Sequence, residues 1–209
     1  MSHPLPFRHT GDFQITALSD GTMSASLELL SGIENADANA IQKSAGIAEP
    51  GDIHINCYLI RGRGRVILVD AGAGPLSNAG GQLIASLAAA GVSPDDVDTV
   101  LLTHCHPDHI GGLLDPEKQP VFKRAEIMLH PLEAQHWQDD ENLSMANERA
   151  QRNFRLARQT LNAYAQKLHF FYGDKIAGAI LPVVLPGHTP GHTGFQIEAD
   201  DQCLLIWGD

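Results

Sequence analysis

The sequence predicts a layered α/β domain, and three observations carry that expectation. Short apolar runs of strand length recur along the 209 residues. Segments with helical spacing separate them, and a histidine-rich loop follows directly on one of the strands. With 43% hydrophobic and 19% charged residues, the composition is that of an ordinary globular protein. This length suits a single domain, spanning residues 1–209, with one hydrophobic core. No internal repeat, low-complexity tract or linker divides it.

In chain order, residues 13–18 read as the opening strand, and 31–52, rich in Ala, Asn, Glu, Gly and Pro, as a loop with one helical turn. Residues 55–60 form a second strand. Gly62-Arg63-Gly64 reads as a hairpin turn into a buried strand at 65–69, because no Lys-Ser/Thr follows to make it a phosphate loop. Gln82 to Ala90 places Leu83, Ile84 and Leu87 on one helical face, with Gly91 as the stop. Ser93-Pro94-Asp95-Asp96 has the cap, proline and acids of a helix start, leading to a strand at 99–102. Further strands are expected at 125–129, 179–185 and 202–207. Between them, about residues 131–170 form a helical insertion whose Phe154, Ala157, Leu161, Tyr164 and Leu168 make one apolar stripe. That stripe is expected to pack on the domain. The functional alternative is a cap, with Trp137, Phe170, Phe171 or Tyr172 lining a pocket.

Residues 103–112, Thr-His-Cys-His-Pro-Asp-His-Ile-Gly-Gly, hold the densest chemistry in the chain. His104, His106, Asp108 and His109 are all good ligands for a borderline divalent ion such as zinc. Imidazoles this crowded repel one another when protonated and are stable when neutral and metal-bound. Cys105 lies between two of them, and alternation in an extended segment points it away, towards packing. Gly111-Gly112 lets the backbone turn tightly. Cys57 and Cys203 fall in expected strands. His54, His130, His136 and His169 have no ligand spacing and read as surface or satisfied polar groups.

The H-x-H-x-D-H spacing resembles the metallo-β-lactamase superfamily, and the resemblance runs along nearly the whole chain. A second matching motif is Leu185-Pro186-Gly187-His188-Thr189-Pro190-Gly191-His192, and a third is Trp207-Gly208-Asp209. Val66-Ile67-Leu68-Val69-Asp70-Ala71-Gly72 matches the family's first motif. The resemblance implies a four-layer αββα fold and two divalent metal ions, Zn2+ foremost. His104, His106 and His188 would form site one, Asp108 and His109 site two, and Asp209 would bridge them. His192 would position its loop, and Asp70 would orient a ligand without binding metal. Within the superfamily the chain is similar to methyl parathion hydrolase and the lactonase-like enzymes, through residues 11–22 and the Thr-Pro-Gly-His block.

That kinship implies a binuclear hydrolase of a small ester, lactone or phosphotriester. Paired metals would lower the pKa of a shared water from about 15.7 towards about 7 and act as Lewis acids, with metal-bound hydroxide as the nucleophile. Asp108 and Asp209 are the expected catalytic carboxylates, Asp108 as a ligand first and a proton acceptor second. A glyoxalase-II-like thioesterase is the hydrolytic alternative; a non-hydrolytic metal-binding or redox relative is the other. The family carries a further histidine downstream of the bridging Asp. The sequence is therefore expected to lack its C-terminal portion and one ligand of site two.

Composition narrows the partners. A net charge of −11 disfavours nucleic acid, whose phosphates need surplus Lys and Arg, and equally a polybasic membrane surface. No apolar run approaches the roughly 18 residues that span a bilayer, and Met1 to Pro6 show no basic region followed by an apolar one, so no secretory signal is expected. Three widely spaced cysteines suit a reducing compartment, so the cytoplasm is expected. No G-x-S-x-G elbow or Cys-His signature offers a protein nucleophile. The expected partner is a small-molecule substrate, and a homodimer is the one assembly kept open.

Overall fold

The computed structural model describes residues 5–76, 80–199 and 201–209. Seven strands form one mixed sheet in sequence order: β1 (Phe7–Thr10), β2 (Phe13–Ser24), β3 (Asp52–Gly62), β4 (Arg65–Val69), β5 (Thr99–Leu101), β6 (Glu126–Leu129) and β7 (Leu168–Phe170). The first four pair antiparallel, and β4 to β7 run parallel. A second, antiparallel sheet contains β8 (Ile180–Val184), β9 (Thr193–Ala199) and β10 (Gln202–Ile206), with β9 central. Arg63 and Gly64 both have positive φ between β3 and β4, as a two-residue hairpin turn of this hand requires.

The period-two alternation of β4 divides the core. Leu68 faces the helices and packs with Leu59, Val100, Phe122 and Leu161, whereas Ile67 and Val69 face the second sheet and meet Phe13, Phe195 and Ile197. Each such side chain, fully buried, contributes about 1.5–3 kcal/mol. Helices, large sheet and small sheet thus stack in the order that the αββα expectation requires.

Several elements differ from their expected form. Residues 31–52 hold α1 (Asn35–Ser44), ten residues and not one turn, of which only Ala38 is buried. A helix that docks through a single alanine has no apolar stripe to read. The helix Leu83–Ala89, α2, stands where expected, with Leu83 and Leu87 buried but Ile84 exposed. The start signal at Ser93 is real, since the Asp96 carboxylate accepts from Ser93 N at 2.8 Å and Oγ at 2.7 Å. It opens only a 3-10 turn, Pro94–Asp96, because β5 begins three residues later. A short helix α3 (Pro107–Ile110) lies inside the histidine motif. The 131–170 segment splits into α4 (Pro131–Gln138), α5 (Asp140–Met145) and α6 (Glu148–Ala163). Its last residues leave the helical layer and form β7, so the buried stripe ends at Tyr164 and Leu168 belongs to the sheet. Strands β1, β7 and β9 carried no separate expectation.

Candidate metal centre

The cluster sits at the C-terminal ends of β4 and β5, where the parallel part of the sheet delivers chain into loops. Asp70 follows β4 at φ +57°, and a non-glycine residue held there is strained. Its neighbours fix it in place. Its N–H donates to Leu101 O (2.9 Å), and its carboxylate accepts from Thr103 N (2.8 Å), Thr103 Oγ1 (2.8 Å) and His109 Nδ1 (2.7 Å). His106 is extended and precedes Pro107, which starts α3 and carries Asp108 and His109 into the site. His188 arrives on the β8–β9 loop, and Asp209 follows β10.

Three ring nitrogens converge. His104 Nε2 and His106 Nδ1 are 3.0 Å apart, His106 Nδ1 and His188 Nε2 2.8 Å, and His188 Nε2 and His104 Nε2 3.1 Å. A second group of His104, His109 and Asp209 has ligand atoms within 4.8 Å of one another. Asp209 spans the two, with Oδ1 3.2 Å from His109 Nε2 and Oδ2 3.4 Å from His188 Nε2. Asp108 stands at the edge, its Oδ2 3.5 Å from His109 Nε2. The structure therefore gathers all six residues singled out in the sequence, Asp108 outermost.

The hydrogen bonds also assign tautomers. The single proton of Thr103 Oγ1 goes to Asp70, so at 3.0 Å it accepts from His104 Nδ1, and His104 Nε2 is left with a lone pair facing the cluster. His109 Nδ1 donates to Asp70 in the same way, and its Nε2 faces Asp108 and Asp209. His104 thus turns a lone pair inward, whereas His109, protonated without metal, turns an Nε2–H towards Asp108 and Asp209 that a bound cation would displace. Burial drives the pKa of His104 far below the histidine value, and the neighbouring His109, His106 and His188 add to it. Burial and then His188 push His106 down to about 4. At His109 burial opposes the charge, but Asp70, Asp108 and Asp209 outweigh it and hold the pKa well above the usual value. Burial raises Asp108 and Asp209, yet His109 pulls both below the ordinary carboxylate range.

Other residues take defined places. Cys105 is fully buried among core side chains, as alternation predicts. His192 is buried; its Nδ1 donates to Leu185 O at 3.0 Å, and its ring lies 5.2 Å from that of His104, so it braces the loop. Trp137 is buried behind His106, ring centroids 5.4 Å apart. Phe171 is buried between the sheets, Phe170 and Tyr172 are exposed, and none of them lines the cavity at the cluster. The aromatic pocket lining considered for the insertion is thus not formed. Instead, a cavity of about 500 Å³ opens in front of His106, Asp108, His188 and Asp209, walled by Met23, Leu29, Ile53 and the α6 residues Arg149 and Asn153.

Two buried carboxylates escaped sequence reasoning. A bulge in β2 turns Asp20 inward, where it accepts from Ala73 N and Leu83 N, both at 2.8 Å. Glu133 is fully buried among four donors. In the sequence it is an acid in the first turn of a helix, the commonest place for a solvated one.

Residues 50–209 match the model of the metallo-β-lactamase superfamily. The chain belongs to the metallo-β-lactamase superfamily. The uncharacterized protein YobT of Bacillus subtilis is 30% identical to it over 160 residues, 77% of this chain and 63% of YobT. Among solved structures, AidC, described as a dizinc quorum-quenching lactonase in complex with a product, superposes with a TM-score of 0.86 at 28% identity. The match covers 96% of this chain and 72% of AidC. AbOPH, a hydrolase of the same superfamily, gives a TM-score of 0.87 at 28% identity over all of this chain and 75% of its own. This superfamily member therefore spans between three-fifths and three-quarters of the length of these relatives. No helix among the described residues is long and apolar enough to cross a membrane.

Proposed function

We propose that this chain carries the metal centre of a binuclear metallohydrolase acting on a small neutral ester, lactone or phosphotriester, akin to the lactonase and methyl parathion hydrolase group. The observation that carries the reading is the convergence of His104, His106 and His188, with Asp209 reaching from His188 to His109. His104, His106 and His188 would hold one divalent ion, Asp108 and His109 a second, and Asp209 both. Ions bound there supply a water acidified to near neutrality and Lewis acids for the oxygen that gains charge, and zinc suits this nitrogen-rich donor set.

The protein's own groups do the rest. Thr103 and Asp70 hold His104 and His109 by Nδ1, so that Nε2 of each faces the ions; His109 would give up its Nε2 proton on binding. The carboxylate edge of Asp108 faces the cavity, placed to take a proton from the attacking water. Met23, Leu29 and Ile53 offer an apolar wall, and Arg149 is the cation among the residues that line the cavity. The likeness to AidC, described as a dizinc lactonase, supports the substrate class.

A hydrolysis panel tests the reading: acyl-homoserine lactones, aryl esters, methyl parathion and a glutathione thioester, with and without a strong chelator. Turnover of a lactone, ester or phosphotriester that the chelator abolishes and a serine-directed fluorophosphonate spares is the expected result. Preference for the thioester would move the assignment to a glyoxalase-II-like activity, and chelator-resistant turnover would end it.

A further inference from the structure

We infer that Glu133 is the positioning residue of the first ligand set: one buried carboxylate that fixes the distance between the two loops carrying its histidines. This rests on the metal-centre reading and adds to it a residue outside the ligand motifs. The two oxygens divide the work. Oε2 accepts from Cys105 N at 3.0 Å, the peptide between His104 and His106, and from Trp137 Nε1 at 2.8 Å. Oε1 accepts from Gly191 N at 3.0 Å and from Thr189 Oγ1, the residue after His188. One side chain therefore ties the H-x-H loop to the loop of the third histidine.

An ionised carboxylate is acceptor-only, and Cys105 N, Gly191 N and Trp137 Nε1 are obligatory donors, so the site suits an anion and nothing neutral of the same shape. The loop at 191 is shaped for the approach: a Cβ on Gly191 would lie 2.6 Å from Glu133 N and 3.0 Å from its Cγ. Trp137, held by the same carboxylate, packs edge-on against His106 and sets the lean of that ring. Among the described residues, the backbone-to-backbone tie between these loops is Thr193 N to Thr103 O at 2.9 Å, beyond the ligands on both sides. Without Glu133 the three ring nitrogens would keep their types and lose their spacing.

Glu133→Gln tests this in the full chain, since the amide must turn its donating NH2 towards one of the two pairs of donors. Two readouts are taken. In the cobalt-loaded protein, release of the ion to a chromophoric chelator should accelerate about 10- to 100-fold and the visible cobalt absorption should change shape. In the metal-free protein, amide exchange at Cys105 and Gly191 should speed up together, well beyond any change at Ile67, Leu68 and Val69 of β4. Should Glu133→Gln not fold, Thr189→Val and Trp137→Phe each remove one donor and should give the same pattern, smaller. Release and absorption like those of the unaltered protein, or exchange rising equally at all five amides, would overturn the inference. An unaltered protein that takes up no cobalt would end the metal reading instead, and the exchange data alone would then decide whether Glu133 ties the loops.

Discussion

At His104 and His109 Thr103 and Asp70 fix which ring nitrogen faces the cluster, so single-atom changes behind the ligands should matter as much as the ligands. His106→Ala should lose both bound metal and turnover, read by elemental analysis beside the hydrolysis assay. Cys105→Ala should keep both, costing only about 1 kcal/mol of packing, because its thiol faces the core. The same groups predict how the metal-free protein responds to pH. His106, held at about 4 against roughly 6.5 when unfolded, takes up its proton on unfolding, so stability falls as pH drops from about 6.5 towards 4. His109, held above its unfolded value, stabilises fully below about 6.5, and that contribution is lost as pH rises through its folded pKa. The melting temperature of metal-free protein should therefore peak near neutrality, and Asp70→Asn should make the alkaline decline shallower. A melting temperature that rose steadily with pH would contradict the assignment at His109.

At the scale of elements, the turns behind the motif leave no room for side chains. A Cβ on Gly112 would lie 2.0 Å from Ala71 O, so Gly112→Ala should destabilise by more than about 2 kcal/mol in denaturant titration. Tyr164 closes α6 and clamps the segment after the motif: its hydroxyl donates to Leu113 O at 2.9 Å and accepts from Phe122 N at 3.1 Å. Burial pushes its pKa up to about 12. Tyr164→Phe should cost about 1–3 kcal/mol by the same titration, leaving the buried Phe122 amide unpaired while Leu113 O keeps its bond from Val121 N. These elements also show what was legible beforehand. Tyr164 belonged to a stripe with helical period and was rightly placed in the core, because burial of one face leaves a periodic trace. Its hydroxyl bonds span 42 and 51 residues and leave none. Helix α1 was underestimated for the converse reason, an almost wholly exposed surface. Strand β7 was absorbed into the helical insertion because three residues are too few for an alternation to show.

Across the whole molecule, the layered order and the six candidate ligands were readable because both arise from dense local patterns: alternating strands that separate two cores, and a motif with four donors in six positions. The long-range ties that hold those donors were not. Glu133 reaches Cys105 across 28 residues and Gly191 across 58, and Asp20 reaches Leu83 across 63. Such contacts are created by the packing of helices, sheet and loops, and in the sequence they look like ordinary acids. The central claim is that the cluster at the ends of β4 and β5 works by holding divalent metal. It is tested most directly by titrating zinc into chelator-stripped protein while following ester or lactone hydrolysis. Turnover should be absent at first, rise in step with zinc bound to the cluster, and fail to rise in His106→Ala. Undiminished hydrolysis by the stripped protein, or zinc uptake and activity unchanged in His106→Ala, would contradict it.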